Sequence, residues 1–123
     1  MIKKTYHLQL DLTGTQFQDY NRSSLLFFDI ETTGLTARMS YIYLIGAIAW
    51  EDNCWKCIQW FAQNTIEEPD ILKEFLAYTQ DKTLLIHFNG DRFDIPYLLK
   101  CCERLGLDYH FDDLISIDIF KKI

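Results

Sequence analysis

The run Leu25-Leu26-Phe27-Phe28-Asp29-Ile30-Glu31 constrains the fold more than any other stretch of this chain. It is apolar enough to be a strand covered on both faces, yet it carries two carboxylates. Side chains alternate along a strand, so Asp29 and Glu31 project together while Phe28 and Ile30 point the other way. Neighbouring like charges repel, and a hard divalent cation held by oxygen ligands, Mg²⁺ or Mn²⁺, relieves that repulsion. A plainer arrangement is also open: the strand ends at Ile30, Glu31 is a solvated turn residue, and Asp29 bonds to backbone.

A second segment bears on the choice. Leu84-Leu85-Ile86-His87-Phe88 is another strand-like run, followed by Asn89-Gly90-Asp91-Arg92-Phe93-Asp94-Ile95-Pro96. Asn89-Gly90 is a turn signal, and Pro96 at the start of an apolar-periodic segment marks a helix N-terminus. Asp94 therefore sits at a strand-to-helix junction, where residues at the carboxyl edge of an α/β sheet converge on one crevice. It either completes a three-carboxylate site with Asp29 and Glu31 or caps the helix that follows.

Together, Asp29-Ile30-Glu31-Thr32-Thr33-Gly34-Leu35 and Asn89 to Pro96, with Phe93-Asp94, resemble the first two motifs of the DEDD superfamily of 3′-to-5′ exonucleases. The Asn-Gly-x-x-Phe-Asp-x-Pro form looks closest to the predicted YprB-like exonucleases and to proofreading domains of family B DNA polymerases. The resemblance implies an α/β, ribonuclease-H-like fold: a mixed five-stranded sheet, three antiparallel strands then parallel ones, flanked by helices.

The element pattern agrees with it. Strands are expected at Leu25 to Ile30, Ile42 to Trp50 and Trp55 to Phe61, the last two joined by the polar turn Glu51-Asp52-Asn53. Thr65 to Glu68 has capping-box spacing ahead of a helix from about Pro69 to Tyr78. A strand ending near Phe88, a helix from about Ile95 to Leu105 closed by Gly106, and a strand around Leu114 to Ile117 complete the order βββαβαβ. Tyr6 to Leu12 alternates well enough for an extra edge strand, and Thr13 to Ser24 reads as polar loop.

The resemblance also implies a fourth acid on a helix after the fifth strand, and the chain reaches Ile123 before such a helix forms. The expected domain is thus residues 1–123, a single unit incomplete at its C-terminus, with an apolar sheet face left for a second copy or a further segment to cover. Tyr109 to Asp113 lacks a helical period and is a poor substitute; Asp118 reads as an N-cap.

At 123 residues and 49% hydrophobic, the chain suits one core. No apolar run approaches the roughly 20 residues of a membrane span, and nothing resembles a signal-peptide core, so a cytoplasmic location is expected. A net charge of −6 disfavours general attraction to a polyanion. Nucleic acid remains a substrate if cations offset the acids and Lys or Arg residues are grouped locally. Cys54-Trp55-Lys56-Cys57 has ligand spacing but lacks a thioredoxin setting, and Cys101-Cys102 diverge on a helix; reduced, mostly buried thiols are expected. His87 and His110 read as structural or solvated, and Trp50, Trp55 and Trp60 as cross-strand packing.

The activity that the resemblance implies is two-metal hydrolysis of DNA or RNA from a free 3′ end. Asp29, Glu31 and Asp94 would hold two Mg²⁺ or Mn²⁺ ions. The amides of Thr32, Thr33 and Gly34 would approach the terminal nucleotide, Leu35 and Phe93 would wedge or stack on its bases, and Asn89 would orient water or sugar-phosphate. A non-catalytic module of the same architecture, binding nucleic acid or a protein partner, is the competing expectation.

Overall fold

The computed structural model describes residues 1–88, 92–109 and 114–119. Asn89 to Asp91, His110 to Asp113 and Phe120 to Ile123 lie outside them, and with them the expectations for those positions, including the substrate role of Asn89. The strands are β1 (Ile2–Leu8), β2 (Leu25–Thr32), β3 (Ile42–Glu51), β4 (Cys54–Phe61), β5 (Leu84–His87) and β6 (Ile115–Asp118), and the α-helices are α1 (Glu68–Thr79) and α2 (Asp94–Arg104). They form one sheet in the order β1-β4-β3-β2-β5-β6. Pairing is antiparallel from β1 to β2 and parallel from β2 through β5 to β6.

Six strands rather than five make the sheet, the sixth being the N-terminal edge strand. It runs over Ile2–Leu8 and not Tyr6 to Leu12. The partner strand sets this limit: Leu8 pairs with Trp55, one residue from the start of β4 at Cys54, so residues from Leu10 on have no β4 residue to pair with. Leu10 and Leu12 nevertheless pack against the core on that side. The β3–β4 hairpin closes through Asp52 and Asn53, both with positive φ (54° and 62°), the backbone of a tight two-residue turn.

Strand parity sends the apolar residues to two cores. Phe28, Ile30, Ile45, Trp60 and the inner faces of α1 and α2 form the larger. On the opposite face Leu25, Leu84, Ile86 and Trp55 gather around Phe17, a buried anchor within the 13–24 loop that was expected to be polar throughout. Trp50 and Trp55 are register partners with rings 5.5 Å apart, whereas Trp60 faces the helices against Phe75 and Tyr78. Cys101 and Cys102 are buried and Cys54 and Cys57 half-buried; all four are free thiols.

The start of α1 differs from the expected box by one residue. Asn64, not Thr65, accepts the amides of Ile66 and Glu67, while Glu67 reaches back to the Gln63 amide. Glu68 then begins α1, 1% exposed. Its Oε2 accepts the Ile42 amide at 2.7 Å, and its Oε1 accepts from Arg104 Nη2 at 2.6 Å. Burial, with Glu68 alongside, pushes the Cys101 thiol up to about 12, so it remains S–H and donates to Glu68 Oε2 at 3.6 Å. One carboxylate thereby ties the start of β3, the start of α1 and the last turn of α2. No helix among the described residues is long and apolar enough to cross a membrane.

Candidate active site

β2 outruns its parallel neighbour. Pairing with β5 covers Leu25 to Phe27 against Leu84 to Ile86 and ends there, while β3 accompanies β2 as far as Thr32. The β5-side edge of β2 is therefore open at the carboxyl end of the sheet, and α2 begins beside it. Asp94 Oδ2 accepts the Ile30 amide across this gap at 3.4 Å. Asp94 is the first residue of the helix, and the capping position belongs to Phe93. Its carboxyl faces β2 and makes no capping bond.

Asp29 and Glu31 are exposed on the face opposite Phe28 and Ile30, as their parity requires. The Asp94 carboxyl feels the charge of both. Burial pushes it up to about 7, the negative charge of Asp29 adds to the rise, the Ile30 amide opposes it, and a side-chain bond to Asp29 and the charge of Glu31 raise it further. Near neutral pH the Asp94 carboxyl is therefore part protonated and part ionised.

Beside these acids lies a hollow of about 390 Å³ over β2, β3 and β4, floored by Phe27, Gly46, Ile48 and Ile86. The β2–β3 loop forms a separate rim. Thr32 Oγ1 donates to the Gly34 carbonyl at 2.6 Å; Thr33 N donates to the Tyr41 carbonyl, and Tyr41 N donates to Thr33 Oγ1, each at 3.0 Å. The Thr33 amide, expected to meet a nucleotide, is thus spent inside the loop. Gly34 also serves the loop itself: a Cβ there would stand 3.1 Å from Ser40 Cβ. Leu35, 86% exposed, and Phe93 line a small hollow of about 130 Å³ with Arg92 and Tyr97.

Asp118 is buried at the end of β6 as the register partner of His87. His87 faces Phe28 and bonds Ser116, while Ile117 packs with Leu25 and Phe27, so parity puts Asp118 on the sheet face away from Asp29 and Glu31. Two groups of residues escaped the sequence reading. Glu68 was seen only as part of a capping box, and Arg38, Arg92 and Lys100 carried no local pattern at all.

With this geometry in view, the comparisons are consistent. A family model described as the RNase_H superfamily matches residues 26–123. The chain belongs to the RNase_H superfamily. Its sheet is the RNase H-like mixed sheet flanked by helices, here with six strands. This RNase_H domain is similar to the DNA polymerase of Pyrococcus glycovorans, 34% identical over 100 residues that cover 68% of the chain and 12% of the polymerase. It is 41% identical over 51 residues to the DNA polymerase of Ostreid herpesvirus 1 (isolate France), covering 40% of the chain and 3% of the polymerase. Among solved structures, the family B DNA polymerase from Pyrobaculum calidifontis superposes with a TM-score of 0.64 at 14% identity, over 78% of this chain and 15% of that one. The metal-free form of the E. coli ExoI–ssDNA complex gives 0.66 at 16% identity, over 80% and 28%. The chain spans 12% or less of these two curated relatives.

Proposed function

We propose that this RNase_H domain is a metal-dependent 3′-to-5′ exonuclease module acting on single-stranded nucleic acid. The observation that carries the proposal is the Asp94 carboxyl, buried, bonded to the Ile30 amide and in the fields of Asp29 and Glu31 at the carboxyl end of β2. The polymerase and ExoI–ssDNA relatives support it, because both names connect this fold to DNA.

The donor chemistry fits a hard divalent cation: every donor is a carboxylate oxygen, and the negative charge exceeds what the surroundings neutralise. Among the described residues no three Asp, Glu, His or Cys side chains already stand in a ligating arrangement, and the Asp94 carboxyl, raised to about 7, carries a proton in part of the molecules near neutral pH. Loading thus requires Asp94 to give up that proton, while the exposed Asp29 and Glu31 side chains have room to turn. When bound, Mg²⁺ or Mn²⁺ supplies a water of lowered pKa and neutralises charge on the leaving 3′ oxygen. The protein's own work is to hold Asp94 rigidly through the Ile30 amide and to offer Leu35 and Phe93 to the terminal base.

The test is a 5′-labelled oligonucleotide incubated with Mn²⁺. Shortening by single nucleotides from the 3′ end, lost in Asp29→Asn, supports the proposal. Efficient cutting of a circular single strand overturns it in favour of an endonuclease. Binding without any hydrolysis points to the non-catalytic module, which the open hollow over Phe27 and Ile48 favours because it leaves the acids exposed on one side.

A further inference from the structure

The chain is acidic overall, with 12 Lys and Arg against 18 Asp and Glu, yet its cations are not evenly spread. Three hollows run into one another along α2 and the 33–41 loop. The first, with Leu35, Arg92 and Phe93, shares Ala37 and Lys100 with the second. The second shares Arg38 and Arg104 with the third, which ends at Tyr41 and Thr65. Four cations therefore line one continuous groove, and Glu103 is the single acid among its described lining residues. Pro96, Lys100 and Arg104 are spaced four apart and so present one helical face to it.

Arg104 is committed to Glu68, but Arg38, Arg92 and Lys100 are exposed and form no ion pair among the described residues. Unpaired guanidinium groups suit phosphate because the planar fork matches its oxygens. The groove starts at Arg92, two residues from Asp94, and leads away from the acidic cluster. Leu35 and Met39, 86% and 87% exposed, stand on the loop beside it as apolar surfaces for bases.

We propose that this groove, through Arg38, Arg92 and Lys100, holds the phosphodiester backbone of a single strand 5′ to the nucleotide at the Asp29–Glu31–Asp94 cluster. The proposal rests on the exonuclease reading of that cluster and adds the path of the strand. It also accounts for how a chain of net charge −6 receives a polyanion: Glu103 is the single acid among the groove's described lining residues, so the approach to the cluster is cationic.

The experiment measures binding of a fluorescein-labelled ten-nucleotide oligothymidylate by anisotropy in EDTA, across a salt series. The Arg38→Gln/Lys100→Gln double variant is compared with a control pair, Lys4→Gln/Lys73→Gln, exposed residues outside the groove. The groove variant should bind about tenfold more weakly, and its slope of log affinity against log salt should shrink by about 1.4, two phosphate contacts at about 0.7 each. Lengthening the probe from two to ten nucleotides should strengthen binding in the wild type far more than in the groove variant. Equal losses in the two pairs, or a ten-residue oligoglutamate binding as tightly as the oligonucleotide, would overturn the proposal. Because binding is read without metal, the measurement survives failure of the exonuclease reading, and an unchanged affinity in the groove variant refutes the strand path alone.

Discussion

Two buried carboxylates, Glu68 and Asp94, occupy matching places and have opposite surroundings. Each is the first residue of a helix, and each accepts a backbone amide from a sheet strand, Ile42 for Glu68 and Ile30 for Asp94. Those amides lie on either side of the 33–41 loop, so the two acids pin its ends. Glu68 has Arg104 and the Cys101 thiol as partners. Asp94 has two more acids. A buried charge needs a counter-charge or a proton. Glu68 has the former built in, and Asp94 makes do with the latter. The comparison teaches that a carboxylate whose compensation is complete is a structural tie, whereas one left short of positive charge is poised to take up a cation.

The largest effect expected from this contrast is a pH dependence confined to Asp94. Its carboxyl lies near 4 in the unfolded chain and is raised to about 7 in the fold. Between those values the native state holds a proton that the unfolded state releases. The contribution is therefore fully present below about pH 4 and lost as pH rises toward and past 7, an amount on the order of 4 kcal/mol. In EDTA, the urea-unfolding free energy of the wild type should fall relative to Asp94→Asn across pH 4 to 7.5, since an amide can still accept from Ile30 and never ionises. Parallel curves for the two proteins would show that the Asp94 environment is not short of positive charge.

Breaking the other tie should cost slightly less. Glu68→Ala strands the Arg104 guanidinium and leaves the Ile42 amide without its acceptor. Breaking a buried pair typically costs about 3–5 kcal/mol, and the low end applies because Arg104 is 37% exposed. Chemical denaturation at pH 7 is the check, and a loss below about 1 kcal/mol would mean that Arg104 does little for Glu68.

Cation binding separates the two sites next. At ten times its dissociation constant, Mn²⁺ should stabilise the wild type by about 1.4 kcal/mol, a rise of several degrees in melting temperature. The rise should grow from pH 6 to pH 8, because the ion competes with the Asp94 proton. Asp94→Asn should abolish it, and Glu68→Gln should keep it. A rise that survives in Asp94→Asn would place the ion elsewhere.

The sequence showed each of these acids unequally, and the reason is the range of the interactions. Period-two alternation around Asp29 and Glu31, and the helix-start signal after Asp94, are local, so the strand and the helix that carry them could be anticipated. β1 could be anticipated only in kind, since its ends depend on where β4 stops. Glu68 stands next to a recognisable cap, and that local pattern hid its bonds to Ile42 and Arg104, 26 and 36 residues away. Arg38, Arg92 and Lys100 have no periodic relation to one another; only the packing of α2 beside the 33–41 loop assembles them.

The smallest effect tests whether the loop between the two acids is shaped by its own packing. Gly34 has no positive φ to accommodate, but an added Cβ would meet Ser40 Cβ at 3.1 Å, tighter than ordinary contact. Ser40 is itself held, with its hydroxyl bonded to Thr36 O and to the Tyr97 hydroxyl, so it has little room to retreat. Gly34→Ala should therefore lower stability by roughly 1 kcal/mol, as modest overpacking does. The crowding disappears if Ser40 loses its Cβ, so Gly34→Ala should cost less in a Ser40→Gly background. The coupling between the two changes should be about 0.5 kcal/mol or more. Full additivity would exclude the Ser40 contact as the reason for glycine at position 34. Close approach of a nucleotide would then be the better explanation, and it would show in weakened oligonucleotide binding by Gly34→Ala at unchanged stability.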